Sequence, residues 1–246
     1  MELTKKIQSL STEIIDGEDA TMRIRLIDIT TTNSLMAFGE LRIANDDLSL
    51  NGSFSIDDPI TVSLSLGDNP LTTVFTGVIS NFIEGQLLLL EIRGNAFKMR
   101  NDRVTKSLNK VNAGKVIREI MSNTDVEYEV GTLPTANRHS YIMQGGTIAE
   151  ELHRWNKSFE LDFIPYFNRD GKLILNTFEE QLNETDVVFN DDEFKKFENG
   201  ILETIVDTEI DVFDQIEIMD VQYYVASNRF LLNERKSKSF IGVTQI

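Results

Sequence analysis

ITVSLSLGDNPLTTVFTGVISNFIEGQLLLLEIR, residues 60–93, is a run of three β-strands separated by turn signals. Ile60, Val62, Leu64 and Leu66 alternate with Thr61, Ser63 and Ser65, the period-2 pattern of a strand with one buried face. Gly67-Asp68-Asn69-Pro70 is a cluster of residues that accept or enforce turn dihedrals. Residues 72–82 and the apolar block 87–92 follow as strands, joined across Glu84-Gly85-Gln86. A polar strand, a turn, then Phe75-Thr76-Gly77-Val78-Ile79 and a further strand is the layout of a small antiparallel barrel.

Upstream, Met22, Ile24 and Leu26 alternate with Thr21, Arg23 and Arg25 as a half-buried strand. Ile27 breaks that alternation, so the strand either ends there or carries a bulge that swaps its faces. Shorter strands are expected at 41–43 and 53–56, with Asn45-Asp46-Asp47 and Asn51-Gly52 as turns.

Downstream the character changes at Ala96. Residues 95–110 are basic and mostly aperiodic, which predicts a connector with a short helix. Residues 113–122 are helical, with Val116, Ile117, Ile120 and Met121 on one face and Asn112 as cap. Thr147 with Glu150 three residues on is a capping box opening a second helix, whose buried stripe is Ile148, Leu152 and Trp155. A hairpin of 161–167 and 172–176 closes over Asn168-Arg169-Asp170-Gly171. Residues 178–199 are acidic and read as loop-rich; strands are expected at 201–206, 214–219, 223–226, 229–232 and 240–246.

The 246 residues hold 24 basic and 40 acidic side chains, a formal charge of −16. Such a chain gains nothing from counterion release on nucleic acid. The acidity keeps the chain soluble, or it lines a passage that DNA must travel without sticking. The charge is uneven: residues 93–118 hold eight bases and one acid, Asp102, whereas 177–220 hold fifteen acids and two lysines. That asymmetry suits head-to-tail packing of copies or a complementary partner; equally, such runs are often solvated faces.

The absence of cysteine excludes disulfides, thiolate nucleophiles and cysteine-ligated metals. His139 and His153, fourteen apart, have no clustered carboxylates to complete a metal site. Asn190-Asp191-Asp192-Glu193 lacks the spacing of a calcium loop and reads as a solvated turn. Gly145-Gly146-Thr147 precedes a helix but lacks a following Gly-Lys, so a capped helix start accounts for it. There is no G-x-S-x-G elbow, and with 40 acids some carboxylate pair always lies at glycosidase spacing. Trp155 reads as core, and one of Tyr223 and Tyr224 must point inward if both lie on a strand. Nothing approaches 18 consecutive apolar residues, so no membrane span is expected. The opening MELTKKIQSLSTEIIDGEDA has no secretory core, which predicts assembly in a cytoplasm.

The order barrel, basic connector, α+β insert, second set of strands resembles the baseplate hub proteins of tailed phages, the late-control-D-like family, related to the hub part of the type VI secretion spike. Asp58-Pro59-Ile60-Thr61-Val62 followed by Thr73-Val74-Phe75-Thr76-Gly77-Val78-Ile79 looks like that family's Phe-x-Gly-x-Ile strand pair. Glu91-Ile92-Arg93-Gly94-Asn95-Ala96 looks like its strand leaving the first barrel, with Phe97 where an acid is common. Val116-Ile117-Arg118-Glu119-Ile120 resembles its first helix, and Ser140-Tyr141-Ile142-Met143-Gln144-Gly145-Gly146-Thr147 its tyrosine–glutamine strand. Leu173-Ile174-Leu175 and Asp214-Gln215-Ile216-Glu217-Ile218 match two further strands, so the resemblance spans most of 58–246.

The fold class expected is α+β, mainly β: two small antiparallel β-barrel-like regions flanking an α+β insert. The divisions are an N-terminal β-barrel (1–95), a connector and α+β insert (96–177), and a second, reduced β-barrel region (178–246). The resemblance implies a structural, non-enzymatic virion protein of the tail baseplate, without cofactor, metal or catalytic residues. It implies a homotrimeric ring that joins the tail tube protein to the central spike, contacts other baseplate proteins, and lets DNA pass without specific binding. Arg100, Arg103 and Lys106 are the candidate assembly contacts. The alternatives are a receptor- or carbohydrate-binding tail-tip module, disfavoured by a single tryptophan, and a cell-wall hydrolase.

Overall fold

Among the described residues, seven strands make up the stretch to residue 94: β1 (Leu3–Ser9), β2 (Glu13–Asp16), β3 (Ile24–Thr32), β4 (Phe38–Ala44), β5 (Pro59–Leu66), β6 (Thr72–Ile83) and β7 (Leu87–Gly94). The computed structural model describes residues 3–9, 13–16, 24–66, 69–190, 193–233 and 236–246. Thr21, Met22 and Arg23 of the first alternating run lie outside the described residues, as do Gly67, Asp68, Asp191 and Asp192 of two turns. The alternation on β5 buries Ile60, Val62 and Leu64, and Leu88, Leu90 and Ile92 on β7 face the same core. Gly77 lies opposite Gly94, where a Cβ would stand 2.1 Å from the Arg93 carbonyl and 2.8 Å from the Phe75 ring. Only glycine admits that approach of two strands. β3 continues past Ile27 and carries the bulge, between Ile24 and Leu26 in its ladder with β4. Residues 53–56 are not a strand: Phe54 plugs the core while Ile56 faces solvent, and turns flank them.

A 3-10 helix (Asn95–Arg100) leads to β8 (Arg103–Val111), α1 (Ala113–Met121), β9 (Tyr128–Val130), β10 (Arg138–Thr147), α2 (Ile148–Phe159), β11 (Ile164–Phe167) and β12 (Leu173–Asn176). The aperiodic connector thus contains a strand, β8, paired antiparallel with β10. This two-stranded ribbon packs only Val104, Leu108 and Val111 of β8 inward, so the sequence shows no clean alternation. Both helix starts follow the sequence reading. Asn112 Oδ1 accepts the Lys115 amide at 2.9 Å, and the capping box of Thr147 and Glu150 is formed. Trp155 is fully buried, its Nε1 donating to the Ala113 carbonyl at 3.0 Å, with Ile148 and Leu152 beside it.

The last part holds α3 (Phe178–Gln181), β13 (Asn183–Phe189), β14 (Lys196–Glu198), β15 (Ile201–Thr204), β16 (Asp214–Ile218), β17 (Val221–Asn233) and β18 (Lys236–Gln245). Residues 178–199 are therefore not loop-rich. β13 runs parallel to β16, and its outward side chains Glu184 and Asp186 gave the segment its acidic reading. The two strands expected at 223–226 and 229–232 are one. β17 shifts register between Val225 and Ser227; its first half pairs with β16 and its second with β3.

That bend joins the ends of the chain. Among the described residues, thirteen strands make one sheet in the order β14-β15-β18-β17-β3-β4-β7-β6-β5-β1-β2, with β16 and β13 branching from β17. The fold is α+β and mainly β. Ile14 on β2 and Ile29 on β3 belong to one apolar cluster, yet no described ladder joins those strands, and no sheet closes. Two further clusters lie around Trp155 and around Ile216, Val225 and Ile241. The tip of the β11–β12 hairpin ties them together. Asn95 Nδ2 donates to the Gly171 carbonyl at 2.7 Å, and Arg169 donates to the Thr208 and Ile210 carbonyls while pairing with Asp211 at 2.9 Å.

Candidate assembly surface

The three candidate contacts do not converge. Arg100 ends the 3-10 helix with its guanidinium 3.3 Å from the centre of the Phe97 ring and 3.6 Å from Asp57. Arg103 donates to the Gly145 carbonyl at 3.2 Å, where Gly145, at φ +77°, forms the β10 bulge. Lys106 pairs with Glu119 on α1 at 2.6 Å. Two of the three are thus engaged in fixing the insert's own ribbon, and only Arg100 opens onto a concave surface.

That surface is built at the start of β4. Thr32 Oγ1 donates to the Met36 carbonyl at 2.6 Å and the Gly94 amide to the Ala37 carbonyl at 2.8 Å, which folds the 33–37 loop against the end of β7. Met36 is left 65% exposed and Phe38 39% exposed. Phe38 faces Arg93 across the β4–β7 ladder, with the guanidinium 5.7 Å from the ring centre. Met36, Phe38, Arg93, Ala96, Phe97 and Arg100 line a cavity of about 260 Å³. Phe38 and Arg93 also border a second, of about 490 Å³, on the outer face of β3, β4 and β7. There Arg229 holds Asp28 with two bonds of 2.8 and 2.7 Å, which raises the guanidinium pKa above its ordinary value. Asp28 faces Glu40, and Glu40 faces Glu91, on neighbouring strands. Sequence reasoning missed this groove because its residues meet only through the strand register.

Elsewhere the candidates resolve as structural residues. His139 and His153 are exposed on β10 and α2, and no three His, Asp or Glu side chains form a metal cluster among the described residues. Tyr223 packs on Phe197 at 5.7 Å and Tyr224 on Phe178 at 4.9 Å, so both tyrosines, not one, are half-buried in ring contacts. Asn190 and Glu193 bond to each other, the amide of Asn190 donating to the carboxylate at 2.7 Å. Burial raises the Asp214 carboxyl pKa and pushes the Tyr166 phenol, near Asp211 and Asp214, up to about 12.

This fold is that of phage tail proteins and of a type VI secretion component. The 43 kDa tail protein of prophage MuSo2 from Shewanella oneidensis superposes with a TM-score of 0.74 at 10% identity, covering 99% of this chain and 98% of that one. A tail protein from Neisseria meningitidis gives 0.69 at 10% identity, over 100% and 97%. The Escherichia coli c3393 protein, a type VI secretion system component described as structurally similar to T4 tail proteins gp27 and gp5, gives 0.64 at 9% identity, over 98% and 77%. No protein-family model matches the sequence, and no curated protein matches it.

Proposed function

We propose that this chain is a non-enzymatic tail baseplate hub of a virion or a related injection system. It forms a homotrimeric ring between tail tube and central spike, with its two strand regions acting as barrel-like bodies flanking the 96–177 insert. The observation that carries this reading is the end-to-end match of fold to the Shewanella prophage tail protein, with almost no unmatched length in either chain. Burial of the single tryptophan weighs against a sugar-stacking tail-tip module. In the ring, three copies of a −16 chain surround the passage, and the repulsion keeps DNA from adhering. Native mass measurement of the purified protein, alone and with its tail tube protein, tests the proposal. A trimer that binds the tube end is expected; a monomer under every condition would sink it.

A further inference from the structure

Among the described residues Arg93 makes no ion pair, although Glu40 and Glu91 border the same cavity, and Arg100 pairs only with the exposed Asp57 at 3.6 Å. Both guanidiniums lie against rings, which leaves the N–H edge of Arg93 for a carboxylate, while Arg100 shares its edge with Asp57 in an exposed pair that an incoming carboxylate can displace. Between them Met36 and Phe38 expose apolar surface. On the opposite side of the charge asymmetry, β13 carries Glu184, Asp186 and Val188, all exposed, across the stretch where its ladder with β16 shifts register, with Val188 45% exposed. Neither carboxylate has a hydrogen bond or ion pair among the described residues, and β13 pairs only with β16, leaving its other edge open.

Resting on the trimer reading, we propose that the Met36–Phe38–Phe97 groove receives the Glu184–Asp186–Val188 stretch of β13 from a second copy of this chain. The two carboxylates meet Arg93 and Arg100, and Val188 covers the apolar floor. None of the groove's lining residues comes from β13, so donor and acceptor are different surfaces. Such a contact is heterologous: each copy gives one face and receives the other, and repetition closes a ring when the rotation allows.

The test is charge exchange on the full chain, read by native mass and sedimentation over a concentration series. Arg93→Glu with Arg100→Glu, and separately Glu184→Arg with Asp186→Arg, should each raise the half-assembly concentration about tenfold or more. Melting temperatures should stay near the parent's, because these charges are exposed. The variant carrying all four changes should recover assembly, and Met36→Glu, at an open position, should weaken it. Trimers that form normally from both double variants overturn this contact and leave the hub reading standing. Normal trimers that no longer bind the tail tube protein overturn it too, by assigning the groove to the tube. A parental chain that is monomeric throughout overturns the contact and the trimer together.

Discussion

Trp155 and Arg169 show what one side chain holds in this fold. Trp155 is fully buried between α1, α2 and the β11–β12 hairpin, edge-on to Phe163 at 5.8 Å. Trp155→Ala removes that volume and the indole's bond to the Ala113 carbonyl, so a loss of about 3–5 kcal/mol is expected in urea unfolding. An unchanged midpoint would contradict the packing. Its place was readable from the sequence, because Ile148, Leu152 and Trp155 repeat at helical spacing. Arg169 was not readable: its sequence context is a hairpin turn, but its partners lie 39 to 42 residues on, in the 205–213 loop. Arg169→Ala leaves two carbonyls and the Asp211 carboxylate without this donor, at a cost of about 1–3 kcal/mol. Hydrogen exchange should then quicken around Ile210 and Val212 more than around Trp155; equal protection in parent and variant would show the clamp to be idle.

At the scale of elements, those whose one face alone is buried were legible. β5, α1 and α2 follow the periodicity of their apolar residues, and both caps were read from Asn112 and Thr147. β8 and β13 escaped because a ribbon and an edge strand bury too little to impose a pattern. β17 was divided in two because its bulge at Ala226 resets the alternation. The capping box of α2 carries its own pH signature. The Thr147 amide donates to Glu150 at 2.8 Å and holds that carboxyl below its ordinary 4.5. A carboxylate with a depressed folded pKa stabilises the fold above its unfolded pKa, and that contribution is lost as pH falls through the folded value. Glu150→Gln keeps an acceptor for the Thr147 amide but removes the titration. The fall in melting temperature between about pH 5 and pH 3 should therefore be shallower in the variant than in the parent. Parallel profiles would refute the link.

For the whole molecule, the uneven charge bears on whether this chain binds DNA at all. Were the basic run 93–118 a nucleic-acid site, its cations would be free and grouped on one surface. Instead Lys106 is paired with Glu119 on α1 and Arg103 is bound to the Gly145 carbonyl, so neither joins Arg93 and Arg100 at the groove as one cationic surface. Against them stands a chain of −16, whose field repels a polyanion over the Debye length, about 30 Å at 0.01 M salt. Duplex DNA should therefore show no retardation by the purified protein even at low salt, where phosphate contacts are strongest. Binding that weakens steeply with added salt would identify the run as a phosphate-contacting surface and defeat the channel reading. The same positions separate assembly from local support. Arg100→Glu should weaken self-association, since it places a carboxylate where the neighbour's acids are proposed to dock. Arg103→Glu with Lys106→Glu should leave association intact, because both side chains serve the ribbon of β8 and β10. If that second pair abolishes the trimer while Arg100→Glu spares it, the assembly surface lies on the insert and not in the groove.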